Sequence, residues 1–515
     1  MSTTLQHTLG EESALVDSEL SEGWTSALMG DIADVTGGGT PKASESANFS
    51  DQGHPWLTPA DLSGFEDIYV QRGRRGLTTR GLRSCSASVM PTGAVLMSSR
   101  APIGYLAVAA NPISTNQGFK SFICARGIVP EYCYFWLIYK RPDLEQMGSG
   151  STFLEISGSR AKEIPIDLAP TTEQLRIVEK IRPVFQLVKR PRERLDRSRQ
   201  ILEHLRRAVL AAACSGKLTE DWRQQTRVTE TSNELLARIL KQRKLILTAE
   251  RSQKYREPLR PSGCEDDSPK TWSHATMDQL TSVVTSGSRG WARFYSHAGP
   301  LFIRAENINS DYLDTSNIAH VHPPEGAEGT RTRVQSSDLL ITITGANVTK
   351  SALVDREIGE AYVSQHIGLV RPVEAKTAAY LYLWTVSPIH GRRKLIEDAY
   401  GAGKPGLNLD NIREMNVALP PLEEQEEIVR RVEALFRVAD KIESRVAAAS
   451  LRAERLTQAV LAKAFRGELV PTEAELARRE GRTYEPASAL LERIKAERAT
   501  ASQNGTRTKT KKTKK

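Results

Sequence analysis

The side chains of this 515-residue chain that could do covalent chemistry are few and poorly spaced for it. Gly401-Ala402-Gly403-Lys404-Pro405-Gly406 fits the GxGxxG spacing that cradles a dinucleotide pyrophosphate, but it follows a helical stretch, contains a proline and lacks strand-turn-helix surroundings. No GxxxxGK[ST] loop for a nucleoside triphosphate occurs. Asn111-Pro112-Ile113 lacks the second proline and the aromatic of the tetrapeptide with which amino-methyltransferases hold a flipped base. The nine histidines form no HExxH, and no paired-carboxylate-plus-lysine nuclease core stands out. The five cysteines (Cys85, Cys124, Cys133, Cys214, Cys264) are odd in number and never form CxxC, so they read as buried or incidental thiols, with no metal site and no disulfide framework expected. Residue types and spacing alone thus offer no candidate catalytic, cofactor or metal site.

Composition narrows the class. Hydrophobic residues at 39% and charged residues at 26% are those of a folded globular chain, and the length suggests two to four domains. No run approaches the roughly 18 uncharged apolar residues of a membrane span. The first twenty residues carry Glu11, Glu12, Asp17 and Glu19 and lack the pattern of a secretory signal, so a cytoplasmic protein is expected. A net charge of +9 suits a polyanionic partner. Residues 171–218 hold twelve Lys/Arg against five Asp/Glu, and residues 500–515 hold six basic residues and no acid. Residues 23–170 are balanced at thirteen of each sign, yet contain one acid-free patch of Arg72, Arg74, Arg75, Arg80 and Arg83.

The elements that must position these side chains come in two diverged copies about 250 residues apart. Trp24, Ile32 and Val35 stand in step with Trp272, Leu280 and Val283. Pro55-Trp56-Leu57-Thr58-Pro59-Ala60-Asp61-Leu62 aligns with Leu301-Phe302-Ile303-Arg304-Ala305-Glu306-Asn307-Ile308, keeping the apolar frame while the polar members change. Asn116-Gln117 matches Ser364-Gln365, and Tyr132, Tyr134 and Trp136 match Tyr380, Tyr382 and Trp384 at identical spacing. Trp24, Trp56, Trp136, Trp272 and Trp384 are expected in the core.

Each copy ends in a long helical pattern, opened by Pro170 with Glu173 and by Pro421 with Glu424 and stopped at Gly216 and Gly467. The second carries Ile428, Val432, Leu435, Ala439, Ile442, Val446, Ala449, Ala453, Leu456 and Val460 at alternating steps of four and three, a coiled-coil seam. The first keeps that register with Ile177, Ile181, Val184, Val188, Leu195, Leu202, Leu205 and Val209, but Pro183 and Pro191 predict a kink or a late start. Forty helical residues make a rod of about 60 Å, and two rods with matching seams are expected to pair as an antiparallel coiled coil. The fold class is therefore α+β, with two strand-rich domains in tandem, each followed by a long helix. The expected divisions are an N-terminal extension (1–22), the first domain (23–170), the first helical spacer (171–218), a linker with a short amphipathic helix (219–270), the second domain (271–420), the second spacer (421–469), a C-terminal helical region (470–498) and a basic disordered tail (499–515).

Two diverged domains alternating with two similar rods resemble the specificity subunit of type I restriction-modification systems. The likeness rests on Trp24 through Asp31-Ile32-Ala33 leading to Gly37-Gly38-Gly39-Thr40-Pro41, on His54 through Leu62, on Asn116-Gln117-Gly118, and on Gly401-Ala402-Gly403 with Leu407-Asn408 and Pro420-Pro421-Leu422-Glu423-Glu424-Gln425; it covers about residues 20 to 495. The second copy departs from it with Thr285-Ser286-Gly287-Ser288-Arg289 in place of the glycine-rich opening. The resemblance implies a non-catalytic DNA-recognition subunit that binds an asymmetric bipartite duplex target and holds two modification (methyltransferase) subunits and restriction subunits. S-adenosylmethionine, ATP and Mg are then expected on those partners, and no cofactor in this chain. Candidate DNA-binding residues are Arg72, Arg74, Arg75, Arg80, Arg83, Arg100, Asn116, Gln117 and Lys120 in the first domain, and Arg289, Arg293, Arg304, Asn307, Arg331, Arg333, Lys350, Gln365 and Lys404 in the second. A coiled-coil scaffold with protein-binding heads, or an orphan DNA-binding subunit without a restriction partner, is the alternative; steep salt dependence of duplex binding separates recognition from scaffold.

Overall fold

Each copy opens with a strand that pairs with the strand leading into its long helix. Thr25–Leu28 runs antiparallel to Pro165–Leu168 with Thr25 opposite Leu168, and Ser273–Thr276 runs antiparallel to Asn416–Leu419 with Ser273 opposite Leu419. The computed structural model describes residues 20–100, 102–149, 154–249, 255–262, 268–323, 330–401 and 405–512, with side chains described except at 189–194, 196, 292, 330 and beyond 500. It divides into two units, Met1–Leu195 with Ala448–Lys515, and Asp196–Ala447. Cys264, Lys404 and most of the 1–22 extension lie outside the described residues.

In the first unit a five-stranded sheet runs in the order Ala33–Gly37, Phe119–Cys124, Val95–Ser99, Ile103–Ala109 and Tyr69–Val70, antiparallel except for the last pair. A four-stranded sheet of Phe49–Ser50, Gly76–Leu77, His54–Leu57 and Ser114–Thr115 carries the polar loops. In the second unit the counterparts are a four-stranded sheet (Thr281–Ser286, Ile367–Pro372, Leu339–Thr342, Ser351–Leu353) and a three-stranded one (Ala319–Val321, Tyr295–Ile303, Ala361–Val363). The α+β expectation holds, and the matched aromatic triplets lie on the helices Pro130–Tyr139 and Ala378–Val386. Trp24, Trp56, Trp136, Trp272 and Trp384 are all buried.

The first long helix spans Thr171–Cys214 and the second Leu422–Phe465. The first starts on time and continues through both prolines. Pro183 and Glu179, whose carbonyl it leaves without an N–H donor, are both exposed, so water can satisfy that oxygen and the expected late start does not occur. The helices pair antiparallel within each unit. In the first, Ile177, Val178 and Ile181 from the start of one helix share a core with Leu461, Ala464 and Phe465 from the end of the other, and Phe465 meets Trp136 edge-on at 5.0 Å. In the second, Val209, Ala213 and Cys214 join Ile428 and Val432.

The seam is narrower than the heptads predict. Ile177, Ile181, Leu202, Val209, Ile428, Val432, Ala439 and Val446 are buried, and Val188, Leu195 and Val460 are half-buried. Leu435 (37% exposed), Ile442 (40%) and Leu456 (53%) are not in it. The buried row is Val432, Ala439 and Val446, seven residues apart, and the neighbouring row of Leu435, Ile442 and Leu456 is left outside it. Arg206 of the first helix reaches Asp440 at 2.7 Å and Glu443 at 2.8 Å on one flank of this row. At 100° per residue, Ile201 and Leu205 of that helix and Leu435, Val438 and Ile442 of the other lie on the opposite flank, where all five are exposed.

The linker helix (Ser232–Ala249) and its twin (Ala487–Lys512) pack on equivalent parts of their own units. Arg243 donates to the Thr281 carbonyl at 3.0 Å, and Arg498 to the Ala33 carbonyl at 3.2 Å, positions that match in the two copies. The backbone of the basic tail is helical as far as Lys512, where the polar sequence predicts disorder. Among the described residues no helix is long and apolar enough to cross a membrane.

Candidate nucleic-acid interface

In the first unit, the arginine patch is held by the short turn Pro59–Leu62. Asp61 closes this turn by accepting the Thr58 N–H at 2.8 Å and the Thr58 hydroxyl at 2.7 Å through Oδ2, while its Oδ1 accepts the Arg74 N–H at 3.0 Å. The following helix Thr79–Arg83 is capped by Thr78, whose Oγ1 accepts the Gly81 N–H at 3.0 Å. Arg72, Arg74, Arg75, Arg80 and Arg83 are thereby all exposed. The Arg72 guanidinium donates to the Asp51 carbonyl, Arg80 pairs with Glu45 at 3.4 Å, and Arg75 lies 3.8 Å from the centroid of the Phe49 ring.

The other candidates of this unit are braces as much as readers. Arg100 and Lys120 share Glu155, at 3.9 and 3.1 Å, and Lys120 is only 13% exposed. The Asn116 side chain accepts the Gly118 N–H at 2.9 Å, and the side-chain Oε1 of Gln117 accepts the Thr40 hydroxyl. Glu155 was not foreseen, since its partners are 55 and 35 residues away in sequence and no local spacing marks them.

Asn307 is the counterpart of Asp61 and closes the same turn, its Oδ1 accepting the Arg304 N–H at 2.9 Å. Its amide also donates to the Asp314 carbonyl at 3.1 Å and the Asn317 carbonyl at 3.3 Å, and the residue is buried. Asn307 therefore shapes the loop and is not exposed as a base reader, a correction to the sequence expectation. Arg289, Arg293, Arg331 and Arg333 are exposed; Arg304, Lys350 and Gln365 are partly so. Arg304 pairs with Glu306, Lys350 with Asp311 at 3.6 Å, and the Gln365 amide nitrogen lies 3.2 Å from His366 Nε2. Arg371 joins buried Asp338 at 2.7 Å to the Arg333 carbonyl at 2.8 Å, fixing the backbone beneath Arg333. Burial pushes the Asp338 carboxyl above its ordinary range, with Arg371 pulling against it.

The altered glycine-rich opening of the second copy keeps the glycine that the backbone requires. A Cβ on Gly38 would lie 2.0 Å from the Asn116 carbonyl oxygen, and one on Gly287 would lie 1.9 Å from that of Val363. At both positions the backbone passes too closely for any side chain. Among the described residues no group of three or more His, Cys, Asp or Glu is placed to hold a metal ion.

A family model, the Type I restriction modification DNA specificity domain, matches residues 21–196 and 314–449. The chain belongs to that family. It is 30% identical to the type I restriction enzyme EcoBI specificity subunit of Escherichia coli over 68% of this chain and 68% of that protein. To the type I restriction enzyme MjaIX specificity subunit of Methanocaldococcus jannaschii it is 39% identical over 31% of this chain and 37% of that protein. The fold is similar to a solved chain from a study of complex assembly and conformational transition of the type I R-M system, with a TM-score of 0.53 and 17% identity over 88% of this chain and 100% of that one.

Proposed function

We propose that this chain is the sequence-reading subunit of a type I restriction-modification complex, itself without catalytic activity, acting in the cytoplasm. It binds double-stranded DNA through the exposed polar loops of both domains and recognises an asymmetric bipartite target. The observation that carries this reading is the pair of equivalent turns at Asp61 and Asn307. The same framework in both copies supports different side chains, Arg74 and Arg75 beside the first and Arg304 beside the second. Different polar side chains on one frame read different base edges, so each domain has its own half-site.

Two modification subunits, bringing S-adenosylmethionine, and restriction subunits, bringing ATP and Mg, are the proposed partners. The exposed apolar flank of Ile201, Leu205, Leu435, Val438 and Ile442 supports protein docking, since apolar side chains grouped in this way mark an interaction surface. The remaining DNA-binding candidates (Arg72, Arg80, Arg83, Arg100, Asn116, Gln117, Lys120, Arg289, Arg293, Arg331, Arg333, Lys350, Gln365, Lys404) contribute phosphate contacts and loop bracing around the readers. The test is binding of the full chain, co-purified with its modification subunits, to duplex DNA across a salt series. A steep fall in affinity with salt is expected. Salt-independent binding, or none, contradicts the reading.

A further inference from the structure

Aromatic rings occupy equivalent places beside the recognition loops of both domains, and each carries an arginine. Phe49 and Tyr295 stand 246 residues apart, the same offset that relates Trp56 to Phe302. In the first domain the Phe49 ring packs on Trp56 at 5.9 Å, tilted by 58°; in the second, Tyr295 packs on Phe302 at 5.8 Å, at 62°. The Arg75 guanidinium lies 3.8 Å above Phe49, and that of Arg304 lies 5.9 Å from the Tyr295 centroid. The two arginines do not correspond in sequence, because Arg304 aligns with Thr58. The aromatic pair is thus a shared frame and the arginine reaches it from a different position in each copy.

We propose that these arginine-on-ring pairs, Arg75 on Phe49 and Arg304 on Tyr295, are the principal base-reading elements of the two domains, each taking a guanine edge in the major groove of its own half-site. This rests on the DNA-recognition reading above. A guanidinium lying on an aromatic face is held by the ring quadrupole and keeps its edge N–H donors free, the geometry a bidentate contact to guanine O6 and N7 requires. The ring contact also orders a long side chain before DNA arrives, reducing the entropy lost on binding. Trp56 is buried and its indole N–H donates to the Gly39 carbonyl at 3.1 Å, while Phe302 stacks on buried Trp291 at 5.7 Å, so each ring rests on a fixed base. Arg75 is exposed, as is Tyr295 at 48%. Nη2 of Arg304 pairs with Glu306, a contact that the guanine edge has to displace on binding.

The test selects bound sequences from a random-sequence duplex pool with the full chain co-purified with its modification subunits, comparing wild type with Arg75→Gln, Arg304→Gln, Arg75→Lys, Arg304→Lys, Phe49→Leu and Tyr295→Leu. Arg75→Gln should lose the guanine preference in one half-site and Arg304→Gln in the other, each weakening binding to the wild-type site roughly tenfold. The lysine variants should keep affinity for unselected duplex but lose the same preference, because they retain charge without the planar two-donor fork. The leucine variants, with melting profiles close to wild type, should blur that position too. Unchanged preferences in the arginine variants overturn the proposal while leaving the DNA-recognition reading intact. Uniform weakening across both half-sites also overturns it, since that marks phosphate contacts. Failure of the wild type to enrich any sequence overturns the recognition reading and this proposal with it.

Discussion

The Trp24 indole N–H donates to Oε1 of Glu173 at 2.8 Å, and the equivalent Trp272 donates to Oε2 of Glu424 at 2.9 Å, both carboxylates being buried at the first turn of a long helix. Each glutamate has a second partner from the segment that follows a long helix in the same unit. Glu173 accepts the Glu473 N–H at 2.8 Å, and Glu424 accepts the Thr219 hydroxyl at 2.8 Å. One carboxylate thus pins together the residue before a domain's first strand, that domain's long helix and the segment that follows the other long helix.

Replacing Glu173 with Ala leaves the Trp24 and Glu473 donors buried without an acceptor, at a cost of about 1–3 kcal/mol. A urea titration should show the lower midpoint, and Glu424→Ala should behave alike. An unchanged midpoint for both would show that these bonds contribute nothing to stability.

The narrow helix seam separates two kinds of apolar residue. Val432→Asp puts an unpaired charge into the buried row and should cost about 3 kcal/mol or more. Leu435→Ser with Ile442→Ser changes only the exposed flank, so the melting temperature should hold while co-purification of the modification subunits is lost. If the double variant melts early and still captures them, the flank belongs to the seam.

Glu427 gives a pH dependence. Its carboxyl is held down to about 2 by its hydrogen bond to Arg430, joined by Arg431, which also pairs with Asp221 at 2.7 Å. Because the folded state favours the ionised form, the stabilisation is present above the ordinary value of 4.5 and is lost as pH falls toward 2. Urea midpoints at pH 7 and pH 3 should therefore converge more in Glu427→Gln than in the wild type. Equal pH dependence in the two proteins would assign the acid sensitivity to other groups.

Much of the fold was legible because the repeat doubles each weak signal. The offsets relate Trp24 to Trp272, one aromatic triplet to the other, and one long-helix start to the other. The seam differs from the heptad expectation at Leu435, Ile442 and Leu456 because heptad spacing shows which residues are apolar, not which row of them the partner helix covers. Asn307 was misplaced for a related reason. An amide can cap a turn or meet a base, and only its three backbone partners show which. The rings of Phe49 and Tyr295 share the offset of Trp56 and Phe302, but an aromatic in a strand carries the same signal as a core residue, and only the arginine beside it sets it apart.

Methylome sequencing of cells that express this chain with its modification subunits tests the central claim most directly. A methylated motif of two unlike half-sites separated by unspecified bases is predicted, with replacement of residues 23–170 by another family member's first domain changing one half alone. A single uninterrupted palindrome that depends on this chain, or a swap that alters both halves, would contradict it.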